Sequence, residues 1–172
     1  STTQSWNWTP IPDDITANAL VKVTTDTNYS SIDVNDTSNN TFKIKGGLLL
    51  LEPNGNDIWY YNDTNRQIRW DSTGTVTPVR IAYSTDNGGN WTVLNNTFTG
   101  VEGVNIYNWT PIPDKKSELC FVRVSDSRSD FIDEVTDVSN STFSIRPRII
   151  VTEPQNASNV EVDSTTTAMP CP

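Results

Sequence analysis

Along this chain apolar residues alternate with polar ones in short runs, and clusters of Gly, Pro, Asn, Asp or Ser separate the runs. That pattern predicts strands. Leu48–Glu52 reads as a first strand, stopped by the turn-forming Pro53-Asn54-Gly55. Gln67-Ile68-Arg69-Trp70 alternates cleanly, and Val79–Tyr83 keeps Val79, Ile81 and Tyr83 on one face. Asp86-Asn87-Gly88-Gly89 is a hairpin signal leading into Trp91–Leu94. Glu102–Trp109, Cys120–Ser125 and Thr142–Arg146 complete the set, with Leu20–Thr24 and Thr41–Lys45 nearer the start. Helical periodicity appears nowhere, and ten prolines act against it. The expected class is all-β.

The pattern also repeats. Trp8-Thr9-Pro10-Ile11-Pro12-Asp13 returns as Trp109-Thr110-Pro111-Ile112-Pro113-Asp114, and Val21-Lys22-Val23 as Val122-Arg123-Val124. Thr41-Phe42 returns as Thr142-Phe143, and Glu52-Pro53 as Glu153-Pro154. Each pair is 101 residues apart, the mark of a modular array. On this phase residues 1–46 are the back part of one module, 47–147 a complete module, and 148–172 the front of a third.

Composition narrows the function. Hydrophobic residues make up 34%, below the roughly 45–50% usual for globular domains. A net charge of −9 excludes the basic surfaces that nucleic acid and anionic lipid require. No apolar run reaches membrane-spanning length, so no membrane insertion is expected. No signal peptide is visible, which reads as a mature, processed form. Histidine is absent, which removes Ser-His-Asp and Cys-His chemistry and imidazole zinc sites. The remaining route, paired carboxylates, has no marked pair, so the chain is not expected to be an enzyme or to carry a cofactor.

Glycosylation triplets point to the cell exterior. Asn-x-Ser/Thr occurs at Asn7, Asn28, Asn35, Asn39, Asn62, Asn90, Asn95, Asn108, Asn140 and Asn156. Composition alone predicts about four, and the chain has ten. Two pairs, Asn7 with Asn108 and Asn39 with Asn140, occupy matching module positions. N-linked glycans and an extracellular or cell-surface location are therefore expected.

Seven or eight strands in about 100 residues is the size of an immunoglobulin-like β-sandwich. The residues carry a resemblance as well: Pro53-Asn54-Gly55, Ile68-Arg69-Trp70, Val79-Arg80-Ile81-Ala82-Tyr83, Cys120-Phe121-Val122-Arg123-Val124-Ser125-Asp126, then Ser141-Thr142-Phe143-Ser144-Ile145. This series resembles the immunoglobulin/fibronectin-III-like repeats of secreted microbial surface or filament proteins. The resemblance implies tandem sandwich modules, here one complete and two partial, acting as spacers, stalks or fibre subunits. Ser84-Thr85-Asp86-Asn87-Gly88-Gly89-Asn90-Trp91 resembles the Asp-box hairpin of sialidases and other β-rich secreted proteins. That implies a structural turn, in which Asp86 accepts backbone N–H bonds and Trp91 packs on the sheet.

Other residues are candidate sites. Asp126, Asp130, Asp133 and Asp137 cluster oxygens that Ca²⁺ favours, although the spacing fits no EF-hand and a solvated acidic loop explains them as well. Trp59-Tyr60-Tyr61 is the candidate stacking platform for glycans, weighed against core packing. Cys120 and Cys171 are a candidate disulfide, within the chain or between chains, although the repeat mate of Cys120 is Ala19.

Half a sandwich leaves an apolar face and open sheet edges. Leu20, Val21, Val23 and Phe42 in the first segment, and Ile149, Ile150 and Val151 in the last, are the expected assembly residues. Head-to-tail self-association, with the last segment of one chain completing the first segment of the next, would build a filament. The alternative is an adhesin or carbohydrate-binding module.

Overall fold

The computed structural model describes residues 3–25 and 34–152, and among them every regular element is a strand. In chain order these are β1 (Thr16–Ala19), β2 (Lys22–Thr24), β3 (Asn35–Thr37), β4 (Phe42–Ile44), β5 (Gly47–Glu52), β6 (Ile58–Tyr60) and β7 (Arg66–Thr73). Then come β8 (Val79–Ser84), β9 (Thr92–Phe98), β10 (Gly103–Trp109), β11 (Ser117–Asp126), β12 (Thr136–Val138) and β13 (Phe143–Arg146). The all-β expectation holds.

Between Gly47 and Arg146 two sheets enclose one core. The first orders β10-β7-β5, and the second orders β6-β13-β11-β8-β9, with β12 on the far part of β11. All ladders are antiparallel except β13 with β6. Alternation on these strands sends Leu50, Ile68 and Trp70 inward from one sheet, and Ile81, Val122, Val124, Phe143 and Ile145 inward from the other. The aromatic end of the core is a chain of rings: Trp59 lies 5.6 Å from Trp109 and 5.1 Å from Phe143, and Tyr83 lies 4.7 Å from Trp109. Gly100 is forced to be glycine by close approach, since a Cβ there would sit 2.1 Å from the Val76 carbonyl oxygen.

The first segment pairs as the last part of this unit does, residue for residue. Thr16 opposes Ile44 and Ala19 opposes Phe42, with a register shift between them. Ser117 opposes Ile145 and Cys120 opposes Phe143, with the same shift. Lys22, Val23 and Thr24 face Thr37, Asp36 and Asn35, just as Arg123, Val124 and Ser125 face Val138, Asp137 and Thr136. Local hydrogen bonds repeat too: Asn18 N–H to Thr16 Oγ1 matches Leu119 N–H to Ser117 Oγ.

Differences from the expected strands have physical causes. Of the expected strand Leu20–Thr24 only Lys22–Thr24 forms one, β2, and Leu20 and Val21 separate it from β1, whereas the mate of both, β11, runs unbroken through ten residues. The second edge of β11 is held by β8 from Phe121 to Asp126, and no strand occupies that edge of β1 and β2 among the described residues. Residues 3–8 form no strand although their mates lie in β10, because β10 exists by pairing with β7. Ile149-Ile150-Val151, expected as a front strand, is not in a strand either. Its mate, the first half of β5, pairs with β7.

The first segment rests on the rest of the chain through a small polar and apolar seam. The Asp13 carboxylate accepts the Thr75 N–H at 2.8 Å and its hydroxyl at 2.6 Å, and these bonds hold the Asp13 pKa below its usual value. Lys43 and Lys45 both bond Glu134, Lys45 at 3.0 Å. Ile15 reaches the core beneath Gly46, where a Cβ would meet Ile15 Cδ1 at 2.8 Å and Val76 Cγ2 at 2.5 Å.

Candidate functional site

Identical pairing with opposite burial singles out one surface. Val21, Val23 and Val34 are 43%, 68% and 58% exposed, while their mates Val122, Val124 and Val135 are 0%, 0% and 3% exposed. Ile11 and Trp8 are likewise open where Ile112 and Trp109 are buried. The residues are as apolar in one copy as in the other, so the difference lies in what faces them. In the second copy Leu50, Ile68, Trp70 and Trp59 cover these positions. Nothing equivalent covers them in the first copy among the described residues. Phe42 is the most protected member, with Trp8 edge-on at 6.1 Å. Where this face meets the complete unit, a cavity of about 370 Å³ opens between Trp8, Ile11, Phe42 and Ile44 on one side and Thr73 and Gly74 on the other.

Of the expected assembly residues, Val21, Val23 and Phe42 belong to this face. Leu20 is exposed, and its mate Phe121 is half-buried, so it is not among the positions that the second copy buries fully. Ile149, Ile150 and Val151 are exposed at 91%, 70% and 68%, so they do not cover the open face within the same chain. Trp8, Ile11 and Val34 were missed. The first two sit in the repeated Trp-Thr-Pro-Ile-Pro motif, so their shared phase with Trp109 and Ile112 was the available signal.

The aromatic stretch splits. Trp59 is 1% exposed and packed in the core, which corrects its reading as part of a stacking platform. Tyr61 is half exposed, and Tyr60 carries the Arg148 guanidinium 4.7 Å from its ring centre. Three consecutive aromatics therefore face three different surroundings, as strand alternation and a following turn require.

The calcium candidates do not converge. The buried Asp126 carboxylate is gripped by Arg128, whose guanidinium N–H groups reach both oxygens at 2.6–3.2 Å, and it also accepts the Arg128 backbone N–H. The side-chain hydrogen bonds to Asp126 raise the Arg128 pKa. Asp137 accepts the Leu50 N–H at 2.6 Å. Asp130 and Asp133 stay on the exposed loop, and among the described residues no group of three acidic, Cys or His side chains is placed to hold a metal.

Cys120 is buried with a free thiol, whose Sγ–H donates toward the Ser117 carbonyl at 3.6 Å, and burial pushes its pKa up. Its candidate partner Cys171 lies outside the described residues. So do Asn28 and Asn156. Of the other glycosylation candidates, Asn7, Asn35, Asn39, Asn62, Asn90, Asn108 and Asn140 are exposed, and Asn95 is half-buried. The Asn90 side-chain N–H is already engaged, donating to Asp86 at 2.6 Å.

That bond belongs to the hairpin at Asp86. Its carboxylate accepts the Asn90 backbone N–H at 2.8 Å and the Ser84 hydroxyl at 2.7 Å, and Ser84 Oγ accepts the Gly88 N–H at 2.9 Å. Gly88 has a φ of 83°, which favours glycine. Led by the Asn90 bonds, this network holds the Asp86 pKa down to about 2. Trp91, the residue expected to pack on the sheet, does so beneath Arg123, whose guanidinium lies 4.3 Å from the ring centre.

No helix among the described residues is long and apolar enough to cross a membrane. The chain matches no family model, and no curated protein or solved structure is similar to it.

Proposed function

We propose that this chain is a structural subunit of a glycosylated extracellular filament or surface fibre. Subunits join head to tail, with the open face of one chain covered by the last segment of the next. The modules are immunoglobulin-like sandwiches, and the role is mechanical rather than catalytic. One observation carries the reading: residues 16–44 keep the strand pairing of residues 117–145, yet leave exposed the side chains that the second copy buries. An apolar face of that kind costs about 25 cal/mol for every Å² left in water, which favours a partner.

The glycosylation sites fit the same geometry. Asn7, Asn35 and Asn39 have mates Asn108, Thr136 and Asn140, all exposed although their module is complete. Glycans there would stand clear of the joined face. The carbohydrate-binding alternative loses support with the burial of Trp59.

Light scattering and electron microscopy across a concentration series test this. The expected outcome is growth of unbranched fibres above a threshold concentration. A chain that stays monomeric at every concentration would overturn the reading.

A further inference from the structure

The sheet β10-β7-β5 has an outer face as well as the inner one that builds the core. Alternation sends Leu50, Ile68, Trp70 and Asn105 inward, so Leu49, Arg69, Asp71, Val104 and Ile106 point out. Val104, Asp71 and Leu49 form one row across the three strands. Ile106 and Arg69 begin the next row. There Leu51 and Glu52 share the place opposite Arg69, because the pairing of β5 shifts between Leu50 and Glu52. Leu49, Leu51, Val104 and Ile106 are between 40% and 55% exposed.

The module does not require apolar residues here, since the mates of Val104 and Ile106 are Thr3 and Ser5. The patch carries two opposite charges along its middle strand. Arg69 has Glu52 at 3.9 Å, the long limit of an ion pair, and Asp71 has no ion pair among the described residues. Two residues apart on one strand, Arg69 and Asp71 are about 7 Å from one another along β7. Asn108, a glycosylation candidate further along the same face, leaves the patch open. Gln67 Nε2 donates to Asn108 Oδ1 at 3.1 Å, which turns Asn108 Nδ2 away from β7 and toward the outer edge of β10.

We infer that this outer face joins two copies of the chain side by side, about a two-fold axis running across the strands. A second copy is the occupant because the charge pattern is complementary to itself. That axis lays the Arg69 row of one copy on the Asp71 row of the other, so Asp71 meets Arg69 twice. It also sets Val104 against Ile106 and Leu49 against Leu51, as in the packing of two sheets. An axis along the strands would instead set Asp71 on Asp71 and Arg69 on Arg69. Three strands about 4.8 Å apart and about 20 Å long give a face on the order of 300 Å². A standard interface has roughly 800 Å² per partner, so one such contact is weak. Repetition along two neighbouring filaments supplies its strength, and only in that respect does the inference rest on the filament reading.

Arg69→Asp and Asp71→Arg, each made alone in the full chain, put like charges opposite one another twice in every contact. The double variant restores opposite charges. Under the electron microscope natural filaments should lie in side-by-side pairs. Each single variant should give separate filaments at an unchanged growth threshold, with the concentration needed for pairing raised about tenfold or more, and the double variant should pair again. Pairing unchanged in both single variants would overturn the face, and its loss in all three variants alike would overturn the charge register. Arg69→Lys, in a mixture of isotope-labelled and unlabelled chains, reads the contact directly, because a carbodiimide joins an amine to a carboxylate beside it. Cross-links from position 69 to Asp71 across differently labelled chains are expected. Cross-links confined to one chain would overturn the second copy as occupant. Cross-links between chains that appear only after enzymatic removal of the Asn108 glycan would mean that the glycan covers the face, and would overturn it too. If the natural chain forms no filament, the filament reading falls, and the cross-link in concentrated solution still decides the face.

Discussion

At the scale of single residues, Asp86 shows how one carboxylate organises a turn. It gathers the backbone and side-chain N–H of Asn90 and the hydroxyl of Ser84, and its pKa falls to about 2. The folded value lies below the unfolded one, near 3.9. Its contribution is therefore complete above about pH 4 and is lost as pH falls through about 2. Asp86→Asn should lower the melting temperature at neutral pH and flatten its decline over that acid window, which calorimetry across pH would measure. The same bonds bear on glycosylation. Asn90 should be unoccupied in native material, because its side-chain nitrogen is held by Asp86, while Asn7, Asn39, Asn108 and Asn140 should carry glycan. Peptide mapping by mass spectrometry decides it. The Asp86 turn was legible from spacing alone, since every group it uses lies within the seven residues from Ser84 to Asn90 and Gly88 supplies the positive φ. The role of Asp137 was not legible. Its partner amide is on Leu50, which only the tertiary fold brings beside it.

At the scale of elements, the paired strands make a controlled comparison within one molecule. Phe143 is buried against Trp59, while its mate Phe42 is half-buried with Trp8 edge-on to its ring. Phe143→Ala should destabilise the complete unit by about 3–5 kcal/mol, the usual cost of emptying a buried aromatic site. Phe42→Ala should cost about 1 kcal/mol in the monomer, the worth of an aromatic pair. Urea unfolding monitored separately by Trp fluorescence and by amide exchange would give both values. An equal loss at the two sites would mean that Phe42 already lies in a closed core. Element positions were mostly legible: β5, β7, β8, β10 and β13 appear within a few residues of their alternating runs. β6 was not, because Ile58–Tyr60 becomes a strand by parallel pairing with β13, more than eighty residues later in the chain. The break between β1 and β2 was equally hidden, since it depends on an edge without β8.

At the scale of the molecule, the seam around Gly46 couples the first segment to the complete unit. Gly46→Val would drive a side chain into Ile15, Val76 and the Thr73 carbonyl, at a cost of about 1–3 kcal/mol. Small-angle scattering should show a longer particle, and amide protection of β1 and β4 should fall while that of β8 and β11 persists. Unchanged scattering and protection would mean that the seam does not hold the two parts together.

What the amino-acid sequence determined by itself was everything that repeats or alternates locally: the strand runs, the turn chemistry, the 101-residue phase and the glycosylation triplets. Trp8 and Trp109, or Val23 and Val124, are equivalent at that level. The tertiary structure alone decided their different fates. Burial is set by the strands that face a residue across the core, and those strands lie far away in the chain, next to one copy of the pattern and, among the described residues, absent beside the other.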